Sequence, residues 1–118
     1  MCGITGFFNS SNAAGQAKQA LQAMQNRGIN GCGIATEEKI FFAKRPGQLK
    51  PIKGNNALGH VLHSVVGEVK QPLKQNGLLS ANCEIYNWKG LAKKHGLKAK
   101  NDAELVLNLL KKEIFCRS

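Results

Sequence analysis

The apolar residues of this chain fall into two patterns: short runs bounded by glycine, and stripes that repeat at helical spacing. The two patterns do not alternate regularly along the chain. A parallel doubly wound sheet needs strand and helix by turns, so the arrangement points to an α+β domain. Residues 4–8 read as a buried strand. In residues 13–26, Ala17, Ala20, Leu21 and Met24 form an apolar stripe opposite Gln16, Lys18, Gln19 and Gln22. That is a one-sided surface helix, with Ser10, Ser11 and Asn12 available as caps and Gly28 expected to take the left-handed turn that ends it. A glycine-punctuated stretch leads into Ile34 and Ala35; residues 40–43, 57–62 and 78–85 are strand candidates, with a turn at 37–39 and a Pro- and Gly-containing connection at 45–56. A short helix over 88–95 should stop at Gly96. Residues 101–112 carry the strongest local helix signal. Asn101 can cap it, Glu104 completes a capping box, Leu105, Val106, Leu109 and Leu110 form its buried stripe, and Lys111 and Lys112 suit its negative end.

Length and composition narrow the function. The 118 residues allow one domain, and 42% apolar with 20% charged residues supports a packed core. No apolar run approaches the ~20 residues that span a bilayer, and no secretory signal opens the chain, so a cytoplasmic protein without membrane partners is expected. Cys2, Cys32, Cys83 and Cys116 lie far apart with no C-x-x-C pair. That argues against a zinc ribbon and against a disulfide framework, and no metal site is expected. Seventeen Lys and Arg against seven Asp and Glu give a net charge of +10. A basic nucleic-acid-binding module is therefore one alternative. Aromatics at 6%, the absence of a binding motif, and lysines dispersed from Lys18 to Lys112 argue against it.

Cys2 is the residue with the most chemistry in it. If Met1 is removed, Cys2 carries a thiol and a free α-amine on one residue. An α-amine titrates near ~8 and a free thiol near ~8.5, so near neutrality one can take the other's proton. One residue then supplies nucleophile and base. The plain alternative is an ordinary small residue at a chain end. Glycines 28, 31 and 33 lack the spacing of a phosphate-binding loop and read as turns. His60 reads as a hydrogen-bonded core histidine.

The stretch Met1-Cys2-Gly3-Ile4-Thr5-Gly6-Phe7 resembles the opening of class II glutamine amidotransferases, which use an N-terminal cysteine nucleophile. In the same order follow Met24-Gln25-Asn26-Arg27-Gly28-Ile29-Asn30-Gly31, Leu58-Gly59-His60, Gln71-Pro72-Leu73, Asn82-Cys83-Glu84-Ile85-Tyr86-Asn87 and Asn101-Asp102-Ala103-Glu104. The Asn-x-Glu-Ile-Tyr-Asn form is similar to that of the asparagine synthetases. The resemblance implies an N-terminal nucleophile hydrolase-type αββα sandwich and hydrolysis of glutamine to glutamate and ammonia. The ammonia would serve an asparagine synthetase-like reaction in a synthetase domain or subunit. It implies Cys2 as nucleophile, with Asn82 and the backbone N–H of Cys83 as the oxyanion hole. It implies a glutamine pocket formed by position 62, His63, Ser64, Val65, Val66, Glu84 and Asp102, with Asp102 on the substrate α-ammonium. No cofactor is implied here; ATP and Mg would belong to the synthetase part.

Three positions depart from that pattern. Leu62 stands where the family usually has an arginine that clamps the glutamine α-carboxylate; Arg27 and Arg45 are candidate replacements. Cys83 stands where the family has glycine, so a strained loop or a narrowed pocket is expected. The sequence stops at Ser118, which suggests a domain incomplete at its C-terminus. The departures keep open a catalytically impaired relative that binds or regulates.

Overall fold

The computed structural model describes residues 2–50, 52–63, 69–75 and 77–117, without the side chains of 114–117. The chain runs β1 (Gly3–Phe7), α1 (Ala13–Ala23), β2 (Cys32–Thr36), β3 (Ile40–Ala43), β4 (Ala57–Val61), β5 (Leu73–Lys74), β6 (Leu78–Leu79), α2 (Trp88–His95) and α3 (Asp102–Arg117). Four strands form one antiparallel sheet in the order β1-β4-β2-β3, and β5 and β6 form a separate two-stranded ladder. Gly3 pairs with Val61, Cys32 with both Val61 and Ala43, and Gly33 with His60 and Phe42. This is a mixed α/β domain. Where two stacked sheets were expected, the described residues form a four-stranded sheet and the β5–β6 ladder.

Strand alternation divides the sheet into two faces. Under α1 lie Ile34, Ala57, Gly59 and Val61, joined by Ala13, Ala14, Ala17 and Leu21 of the helix. The helix comes close because both partners are small. A Cβ on Gly59 would meet Leu21 at 3.0 Å, and one on Gly3 would meet the Met24 sulfur at 2.6 Å. Complete burial of Leu21, Ile34 and Val61 contributes about 1.5–3 kcal/mol for each side chain.

The opposite face is covered by residues 71–72 and 80–82. The Gln71 Oε1 accepts from Ala81 N at 2.8 Å, Ser80 Oγ donates to Gly59 O at 3.2 Å, and His60 Nε2 lies 3.2 Å from Ala81 O. Side chains thus hold the segment 80–85, which was expected to continue a strand. The regular ladder stops at Leu79.

Other local expectations divide. α2 ends at Gly96 in the left-handed conformation, φ 65°. Asn101 Oδ1 accepts from Glu104 N at 2.9 Å and caps α3. Helix α1, however, ends at Ala23, followed by a single 3-10 turn over Gln25–Arg27. Gly28 is extended, φ −155°, and makes no left-handed turn. Its glycine is required for space, because a Cβ would lie 2.7 Å from the Leu62 carbonyl. Asn12 makes no side-chain cap to α1, and Ser10 Oγ bonds the Gln16 side chain.

Candidate active site

Cys2 immediately precedes β1 and is held at the end of β4. The His63 N–H donates to Cys2 Sγ at 3.3 Å, and the thiol lies 3.5 Å from the His63 carbonyl oxygen. Two backbone groups of one residue therefore fix the sulfur. The β1–β4 register, continued one residue past the Gly3–Val61 pair, sets Cys2 beside Leu62. Cys2 then shares the face of His60, opposite α1, and residues 80–81 lie over that face.

Asp102 joins this segment to α3. Its Oδ2 accepts from Ile85 N at 2.9 Å and its Oδ1 from Ala103 N at 2.8 Å. The carboxylate is thereby oriented and tied to the end of the segment that carries Asn82, Cys83 and Glu84, all three exposed. Although the residue as a whole is exposed, partial burial of its sulfur pushes the Cys83 thiol pKa up, and the nearby acidic groups Asp102 and Cys2 push it further. Cys2, Cys83 and Asp102, widely separated in sequence, thus lie within electrostatic reach of one another. Among the described residues the amide of Asn82 makes no hydrogen bond, which leaves its donors available.

The left-handed backbone that would favour glycine at position 83 is absent: among the described residues Asn9, φ 55°, is the one non-glycine with positive φ. Ser64, Val65 and Val66, expected in the pocket, lie outside the described residues, as does Met1. His60 is fully buried; burial lowers its pKa below 6.5, and Nδ1 has no partner among the described residues. Cys32 is a structural thiol, with burial raising its pKa to about 11.

Beside Leu62 opens a cavity of about 360 Å³, lined also by Gly31, Phe42, Lys44, Lys70 and Gln71. The replacement cations suggested by sequence, Arg27 and Arg45, take no part in its lining; Lys44 and Lys70, equally exposed, do. The two lysines were missed. A signal for Lys44 exists in sequence, since positions 42 and 44 share a strand face. Lys70 is marked only by preceding Gln71-Pro72.

The fold is a mixed α/β domain whose nucleophile candidate immediately precedes the first strand, the arrangement expected of an amidotransferase domain. Residues 1–113 match the glutamine amidotransferase domain family, and the chain belongs to it. Similar proteins include an amidophosphoribosyltransferase of Methanothermobacter thermautotrophicus, 29% identical, covering 95% of this chain and 30% of that protein. The glutamine--fructose-6-phosphate aminotransferase of Clostridium perfringens is 26% identical over 93% of this chain and 22% of its own. The amidophosphoribosyltransferase of Pseudomonas aeruginosa is 27% identical, covering all of this chain and 28% of that protein. The chain thus spans less than a third of the length of these relatives. No solved structure matches it.

Proposed function

We propose that this chain is a glutaminase domain that releases ammonia from glutamine for a synthetase or transferase partner. The observation that supports the reading is that the Cys83 thiol feels the charges of both Cys2 and Asp102, with Asn82 next to it in the chain. After removal of Met1, the Cys2 α-amine takes the thiol proton and the sulfur attacks the side-chain amide carbon of glutamine. The C–S bond forms, and the negative oxygen is received by the Asn82 amide and the Cys83 N–H. The C–N bond then breaks and ammonia leaves with the amine's proton. Water cleaves the thioester to glutamate and restores the thiol. Thiol and amine belong to the chain, so this half-reaction uses no cofactor; Asp102 receives the substrate α-ammonium, and Glu84 and His63 contribute to the pocket.

The acceptor is a finer matter. An asparagine synthetase-like acceptor rests on the Asn82-to-Asn87 motif, whereas the relatives are named for phosphoribosyl and fructose-6-phosphate acceptors. ATP and Mg would enter only with a synthetase part. Ammonia release from glutamine by the mature chain tests the first half. Cys2→Ala should abolish it and Asn82→Ala should lower kcat by ~10²–10³; equal release from Cys2→Ala would remove the catalytic reading. Mass spectrometry after an electrophilic glutamine analogue should show Met1 lost and residue 2 modified.

A further inference from the structure

Leucine at position 62 leaves the α-carboxylate of glutamine without the cation expected there, and the sheet supplies one further along the same row. The Leu62 N–H donates to Gly31 O at 2.8 Å and the Asn30 N–H to Leu62 O at 2.9 Å, so Gly31 flanks Leu62 on the side away from Cys2. The β2–β3 register, continued one residue past the Cys32–Ala43 pair, sets Lys44 beside Gly31. Across the end of the sheet the order is therefore Cys2, Leu62, Gly31, Lys44. Gly31, φ 129°, has no side chain, and the nearest atom to a Cβ placed there is Ala43 O at 3.6 Å. That gap is the floor of the 360 Å³ cavity. Lys70 enters from the covering segment with Nζ 5.6 Å from the centre of the Phe42 ring, an ammonium held by an aromatic face. Among the described residues the cavity lining holds two lysines and no carboxylate.

The lengths agree. Strands lie ~4.8 Å apart, which puts Gly31 about 10 Å and Lys44 about 14 Å from Cys2 at the backbone. A carbonyl carbon poised for attack stands ~3 Å from the sulfur, and the four-bond chain to the carboxyl group adds about 5 Å. A carboxylate then lies ~8 Å out, over Leu62 and Gly31, and the four-carbon stem of a lysine spans the remaining distance.

We propose that the cavity beside Leu62 is a carboxylate subsite in which Lys70, with Lys44, receives the α-carboxylate of the amide substrate. This rests on the glutaminase reading. Two ammonium point charges replace one planar guanidinium, so the site gains charge and loses bidentate geometry. Leu62 and Phe42 supply apolar walls that strengthen each charge–charge contact.

The test is steady-state ammonia release by the mature chain, with Lys70→Gln, Lys44→Gln, Lys70→Arg, and Lys93→Gln as a charge control on α2. For glutamine, Lys70→Gln should raise KM about tenfold to a hundredfold with kcat little changed, and Lys70→Arg should restore most of it. For glutamine α-amide, whose carboxylate is neutralised, wild type and Lys70→Gln should share one KM. Unchanged KM for glutamine in both lysine variants would overturn the subsite and leave the glutaminase reading standing. Equal losses on both substrates would also overturn it. Glutamate titrated into the Cys2→Ala chain provides a readout independent of turnover. Lysine-dependent glutamate binding by a chain that releases no ammonia would support the subsite and sink the glutaminase reading. No glutamate binding at all, or tighter binding of inorganic phosphate, would sink the subsite.

Discussion

Gly28→Ala is a small change that should reach the candidate nucleophile through two backbones. The glycine is extended, φ −155° and ψ 116°, so alanine can adopt its conformation freely. The obstacle is space: the added Cβ would lie 2.7 Å from Leu62 C, Leu62 O and Val61 C. Carbon atoms in ordinary contact sit ~3.5–4.0 Å apart, so the two backbones must separate by about 1 Å. The atoms in the way are the peptide groups that hold the site. They flank the Leu62 bonds to Asn30 and Gly31 and the 3.3 Å bond from His63 N to the Cys2 sulfur. Overpacking of this kind costs about 1–3 kcal/mol. For a chain of this length a 2 kcal/mol loss lowers Tm by roughly 6–12 °C. A displacement near 1 Å at the nucleophile should lower kcat on the order of a hundredfold. Thermal unfolding followed by circular dichroism and ammonia release at saturating glutamine measure the two effects. A Tm within about 2 °C of the parent, with kcat intact, would show that the Gly28–Leu62 approach is not what positions Cys2.

Gly90, exposed within α2, offers the opposite case, since a Cβ there meets nothing within 4 Å. Gly90→Ala should stabilise by about 0.5–1 kcal/mol, read as a higher Tm; a lower Tm would contradict a formed helix at that position. Asn101→Ala removes the acceptor of the Glu104 N–H and should cost about 1 kcal/mol, while Asn101→Asp should keep most of it. Cys32 has its folded pKa raised from 9.0 to about 11, so its contribution is complete below pH 9 and is lost as pH rises from 9 to 11. The loss is on the order of 3 kcal/mol, and Cys32→Ala should flatten that part of the stability profile relative to wild type; parallel profiles would refute the assignment.

Much of the fold was legible because its signals are local. The capping atom of Asn101, the left-handed stop at Gly96 and the strand over Ile40–Ala43 each depend on a few adjacent residues. Gly28 was misread because its requirement comes from the Leu62 backbone, distant in sequence. Residues 80–85 were read as strand because their apolar pattern permits one. Gln71, His60 and Asp102 instead occupy the backbone groups that a ladder would use. The candidate site divides in the same way. Cys2, Asn82, Cys83 and Asp102 stand out as motifs. Lys44 and Lys70 become partners only through a strand register and a covering segment that no short stretch of sequence contains.

The two departures at the site act on different atoms, and they do not weigh equally. An oxyanion hole uses the backbone N–H at position 83, which every residue except proline supplies. With an unstrained φ the cysteine retains that donor, so what it adds is a side chain. That side chain is a second thiol, whose pKa partial burial and the nearby Asp102 and Cys2 push up. A protonated thiol is a poor nucleophile, so Cys83 does not compete for the substrate carbonyl. Leu62 is different: on the proposed glutaminase reading it leaves the substrate carboxylate without a guanidinium, and no backbone group can replace a cation. Among the described residues the positive groups lining the space beside Leu62 are Lys44 and Lys70, so on that reading the burden falls on them.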